Sequence, residues 1–224
     1  MRLPERHLLV VPLLGLVLLL GTLALSVEAA QHRALEADVD LQREMQSWSM
    51  PGVTQVVNAF NWLGHTLPML TLSLGIVTVL IVGGHWRKAL LLTPAVLTAG
   101  ANFLLKQTFE SPRPTTADVR ITDPSTGFGF PSGHTMSAVV ICVVLAYLAW
   151  RHLDHALLRR VTYAVMLVGV AGMGFSRIWS GAHWPSDVLG AVLWGVLYAG
   201  LGIILYHRLM SRDAAQEQLA PAGA

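Results

Sequence analysis

The sequence predicts an all-α fold, a polytopic membrane helical bundle of about six transmembrane helices. Three observations predict it. Hydrophobic residues make up 54% of the 224 positions while charged residues make up only 12%, against roughly 25% charge in an ordinary soluble domain. Six apolar stretches recur along the chain. The turns between them alternate in charge, as the positive-inside rule requires of loops on opposite sides of a bilayer.

The first stretch, residues 8–26, follows Arg2 and Arg6. A cleaved signal peptide starts the same way, and small residues near Ala29 would permit cleavage, but this run exceeds the ~7–15 residues of a signal core. A retained anchor is the expectation. Further spans are expected at 66–84, 89–105, 135–150, 161–175 and 188–206, several of them shorter than the ~20 helical residues that a bilayer core requires. The polar residues from about 211 to 224 read as a short disordered tail. One membrane domain thus accounts for residues 1–224.

Arg87 with Lys88, then Arg151, Arg159 and Arg160, then Arg208 and Arg212 mark one side together with Arg2 and Arg6. That pattern places both termini in the cytoplasm. The segment 28–65, with Glu28, Glu36, Asp38, Asp40 and Glu44 against Arg33 and Arg43, falls on the other side, as do 106–134 and 176–187. The formal net charge of +2 is small, and the basic residues sit beside apolar runs. Nucleic acid is therefore excluded as a partner, and the lipid bilayer is the expected solvent. Cys142, the single cysteine, can form no disulfide within the chain and no thiolate metal cluster. Gly169, Gly172 and Gly174, and Ala191 with Gly195, either let helices approach closely or reflect ordinary membrane composition.

Ionisable residues gather where two external segments meet the membrane, a costly placement that points to function. The first segment holds Lys106, Arg113 and Pro114, then Pro131-Ser132-Gly133-His134; the second holds Ser176-Arg177, then His183 and Asp187. Each piece alone has a plain explanation: Lys106 and Arg113 as interfacial anchors, Ser132 or Asp187 as helix caps, either histidine as an interfacial residue.

Together the three motifs, KxxxxxxRP, PSGH and SRxxxxxHxxxD, resemble the type 2 phosphatidic acid phosphatase superfamily in its integral-membrane branch. The resemblance implies hydrolysis of a membrane lipid phosphate or diphosphate, of the undecaprenyl diphosphate, phosphatidate or phosphatidylglycerol phosphate class. It also implies a phosphohistidine on His183, with His134 protonating the leaving alkoxide and later activating water. The residue chemistry agrees with those roles. Phosphoryl transfer depends on positioned cations and backbone donors, which Lys106, Arg113 and Arg177 and the N–H groups of Ser132 and Gly133 can supply as phosphate-binding groups. Asp187, four residues after His183, can hold the imidazole in the tautomer whose other nitrogen is free to attack, and Pro185 suits a first helical turn.

No HExxH, cysteine pair or local carboxylate cluster is present, so no metal and no cofactor is expected; a metal held by His134, His183 and Asp187 is the alternative. A lipid phosphotransferase using the same site is the competing activity, and a non-enzymatic lipid-binding protein or transporter the competing class. A bacterial inner membrane, with the site at its periplasmic or external face, is the expected location.

Overall fold

The computed structural model describes residues 5–33, 35–48 and 51–219. Arg2 and the last five residues of the expected tail lie outside the described residues. The fold is all-helical among the described residues: α1 (Glu5–Ala29), α2 (Glu36–Ser47), α3 (Val53–Gly64), α4 (Thr66–Val82), α5 (Trp86–Ala89), a 3-10 turn (Leu90–Leu92), α6 (Thr93–Phe109), α7 (Gly133–His152), α8 (Ala156–Trp179) and α9 (Pro185–Leu219).

Among the described residues, five stretches are long and apolar enough to cross a membrane: Pro12–Ala29, Trp86–Phe109, Gly133–His152, Ala156–Trp179 and Pro185–Ser211. The pair α3 and α4, bent by 64° at His65, supplies a sixth as a broken span. The protein is an integral membrane bundle. The span expected at 66–84 is therefore only the second limb of that pair. Helix α3 escaped a hydropathy reading because it is amphipathic, burying Val57, Asn61 and Gly64 on one face, a helical spacing rather than a continuous apolar run. Helix α9 runs on to Leu219, well past 206 and into the segment read as a disordered tail; that stretch is rich in Ala, Glu, Gln and Leu, which favour helix even where they are too polar for lipid.

Helix α7 is the hub, packing on α8, α9 and α6 around a core that includes Leu92, Met136, Val140, Val144, Met173 and Ala199. Small residues set the closest contacts. A Cβ on Gly172 would strike the Phe60 ring, one on Gly174 would lie 2.8 Å from Val188, and one on Gly195 would lie 2.8 Å from Val139, whereas Gly169 faces open space. Close approach is thus the reason for three of those glycines and not for Gly169. Helix α1 lies along α9, where Trp194 Nε1 donates to Ser26 Oγ at 3.0 Å.

The connections bring one end of the bundle together. Helices α6 and α8 finish there while α7 and α9 begin, and the loop between α6 and α7 folds over the junction, with Gly129 N–H donating to Ser111 O at 2.7 Å and Thr122 N–H to Ser180 O at 2.8 Å.

Candidate active site

The end of α8 sets the spacing of the third motif. Gly181 takes a left-handed φ of +76°, and a Cβ there would collide with Arg120 O, so glycine is required on two counts. The tightened turn lets Ala182 N–H and His183 N–H both donate to Arg177 O, at 3.1 and 3.2 Å. Five residues separate Arg177 from His183 because that is the length of this cap. Asp187 is the third residue of α9, and its Oδ2 accepts the Trp184 N–H at 3.0 Å, the reach-back half of a capping box. The same Oδ2 lies 3.2 Å from His183 Nδ1. Capping and orienting the imidazole are thus one arrangement.

The tautomer follows from the donors. Arg113 Nη1 lies 3.1 Å from His183 Nε2, and a guanidinium can only donate. Nε2 therefore accepts and Nδ1 carries the hydrogen, directed at Asp187. Burial, and then the positive charges of Arg113, Lys106 and Arg177, hold the His183 imidazolium well below its ordinary range, so the neutral, nucleophilic form is favoured.

A cavity of about 270 Å³ opens beside this pair, with Lys106, Arg113, Gly133, His134, Arg177 and His183 on its wall. Lys106, on the last turn of α6, donates to Phe128 O at 2.5 Å and Gly129 O at 2.8 Å. Arg113 also donates to Gly127 O at 2.9 Å and Ala182 O at 2.6 Å. Both cations thus hold backbone carbonyls, with no carboxylate among these hydrogen-bond partners. Arg177 differs: its Nη1 meets Asp123 Oδ2 at 2.7 Å and Asn61 Oδ1 at 2.9 Å, and its Nη2 meets Ser125 Oγ at 3.2 Å. His134 is the second residue of α7, its Nε2 buried with no protein partner. His65 packs edge-on against it, ring centroids 5.2 Å apart, and a Cβ on Gly64 would enter the His134 ring. An anion placed among the cations would share the cavity with both histidines.

Seven of the eight residues singled out from sequence, His183, His134, Asp187, Lys106, Arg113, Gly133 and Arg177, converge here. Ser132 is placed differently. It is fully buried, its N–H donates to Asp187 O at 3.1 Å, and its Oγ accepts from Thr135 Oγ1 at 3.2 Å. It ties α7 to α9 instead of offering an N–H to an anion. Asn61, Asn102, Asp123, Ser125 and His65 were missed. Asn102 Nδ2 holds Pro131 O at 3.1 Å, and its Oδ1 would lie 2.9 Å from a Cβ on Gly133. Among the described residues no group of three His, Cys, Asp or Glu side chains converges as metal ligands would.

Residues 87–211, more than half of the chain, match the PAP2 superfamily. The chain belongs to that superfamily. Phosphatidylglycerophosphatase B of Bacillus subtilis is 27% identical over 188 residues, covering 80% of this chain and 88% of that protein. Undecaprenyl-diphosphatase BcrC of the same organism is 30% identical over 98 residues, 43% of this chain and 46% of that protein. A crystal structure of a transmembrane PAP2-type phosphatidylglycerolphosphate phosphatase from Bacillus subtilis superposes with a TM-score of 0.74 at 26% identity, covering 86% of this chain and 96% of that one. This PAP2 protein is a membrane phosphatase of the lipid phosphate class, and the three motifs that carried the resemblance all fall within the matched residues or on their helices.

Proposed function

We propose that this PAP2 enzyme cleaves phosphate from a membrane lipid phosphate of the phosphatidylglycerol phosphate class through a phosphohistidine on His183, without a metal, at the non-cytoplasmic face. The observation that carries the reading is the pair of histidines lining one cationic cavity: His183 with Nδ1 turned to Asp187, and His134 with a buried, unpartnered Nε2. His183 Nε2 attacks phosphorus as the P–O bond to the lipid breaks, and His134 delivers its proton to the leaving oxygen. Water, deprotonated by His134, then attacks the same phosphorus, the P–N bond breaks, and inorganic phosphate leaves with His183 restored. Lys106, Arg113 and Arg177 hold the oxygens on which charge gathers. The choice of lipid leans on the phosphatidylglycerophosphatase relative, which this chain matches over most of its length. The basic turns, which lie at the opposite ends of the spans, support that face.

The test is quenched labelling of the purified protein with radiolabelled phosphatidylglycerol phosphate, at a pH that preserves phosphohistidine, followed by peptide mapping. Label on the peptide containing His183, with free phosphate as the product, is expected. Label on a His134 peptide would reverse the two roles, and a phosphorylated lipid as product would make the enzyme a transferase.

A further inference from the structure

Helix α2 touches the site's framework through a single stripe. Asp38, Gln42 and Gln46 follow one another at intervals of four and share one helix face. Asp38, only 5% exposed, accepts the Ser186 N–H on Oδ1 at 2.8 Å and the Ser186 hydroxyl on Oδ2 at 2.6 Å. Gln42, fully buried, donates to Ile178 O at 2.8 Å, and Gln46 donates to Trp179 O at 3.0 Å and Arg120 O at 2.7 Å. The chemistry is matched to position. A carboxylate meets an N–H at the start of α9, where donors lack helical partners, and two amides meet carbonyls at the end of α8, where acceptors lack them. Between those two ends lies the short turn that carries His183.

We propose that this stripe is a bracket across the α8–α9 turn, and that Asp38 is a positioning residue for the phosphatase reaction. Ser186 immediately precedes Asp187, so a rotation of the first turn of α9 moves Asp187 Oδ2 relative to His183 Nδ1. That contact, 3.2 Å, is already at the long end of a hydrogen bond and tolerates little further displacement. The inference rests on His183 and Asp187 carrying the chemistry.

The experiment compares full-length Asp38→Ala, Asp38→Asn, Ser186→Ala and His183→Ala in detergent, measuring kcat and KM for a lipid phosphate together with the thermal midpoint. Asp38→Ala is expected to lower kcat about tenfold or more with KM little changed, as for supporting contacts around other reactive sites. Asp38→Asn should recover most of that loss, because an amide can accept from the Ser186 N–H and donate to its hydroxyl. Ser186→Ala, which removes one of the two bonds, should lower kcat about threefold and serves if Asp38→Ala does not fold. A wild-type kcat in the folded Asp38→Ala or Ser186→Ala protein, with only the thermal midpoint reduced, overturns the bracket. Turnover surviving in His183→Ala instead overturns the reading of the site on which the bracket depends.

Discussion

Replacing Asp187 by asparagine separates the geometry of the carboxylate from its charge. Both contacts, to Trp184 N–H at 3.0 Å and His183 Nδ1 at 3.2 Å, fall on the same oxygen, Oδ2. An asparagine carbonyl placed there accepts both hydrogens, so the cap and the imidazole tautomer survive and only the negative charge is lost. Attack on phosphorus leaves positive charge on the ring, and a hydrogen bond to a charged group contributes about 1.5–3 kcal/mol. If that stabilisation is felt only as the charge develops, kcat for Asp187→Asn should fall roughly 10- to 150-fold with KM unchanged. Asp187→Ala should fall further, since it also strands the Trp184 N–H and frees the ring to turn. Steady-state phosphate release from purified variants of equal thermal midpoint reads the difference. An Asp187→Asn enzyme with wild-type kcat, or one impaired only in KM, would refute the argument that the carboxylate acts through charge.

Because burial and cations hold His183 well below its ordinary 6.5, the acidic limb of kcat/KM due to this residue should lie below pH 6.5. Residual activity of Arg113→Ala should show that limb moved upward. The same depression makes the unfolded chain bind more protons than the folded one below pH 6.5, so His183 should contribute a loss of stability as pH falls through that window, checked by thermal melts. Asp123→Asn leaves the Arg177 side chain, 1% exposed, with neutral acceptors only and should destabilise by about 2 kcal/mol; an unchanged melt would deny that pair its role. A Cβ at position 129 would sit 2.8 Å from Asp187 Oδ2 and 3.2 Å from Pro112 O, so Gly129→Ala should cost about 1–3 kcal/mol, while Gly169→Ala, which meets nothing, should be near neutral. Reporter fusions after Arg87 and after Phe128 should report cytoplasmic and external locations respectively; cytoplasmic signal after Phe128 would place the cavity on the wrong face.

Hydropathy made the spans legible because lipid demands a long apolar run, and it failed where the demand differs. Helix α3 needs only one apolar face, and the extension of α9 beyond Ser211 is helical but lies past the apolar stretch. The site residues were legible because their chemistry is unusual beside hydrocarbon and their spacing is local: Arg177 to His183 is one helix cap, His183 to Asp187 one capping box. The Ser132 N–H was not legible, because a serine before a helix reads the same whether its N–H faces an anion or a neighbouring carbonyl, here Asp187 O. Asp123 and Asn61 left no signal, since they reach Arg177 across 54 and 116 residues of chain. Asp38 was visible only as one acidic residue of an external segment, and its partner Ser186 lies 148 residues away.

The contact between Arg113 and His183 Nε2 has a bearing on selectivity. The lone pair that must reach phosphorus is already occupied by a guanidinium N–H, and the competitor best able to draw that N–H away is a negatively charged oxygen arriving at the same place. The incoming group thus unmasks its own attacker. Neutral electrophiles that drift in from the bilayer lack the means to do so, and His183 should react slowly with uncharged acylating reagents until a phosphate or similar oxyanion has taken up Arg113.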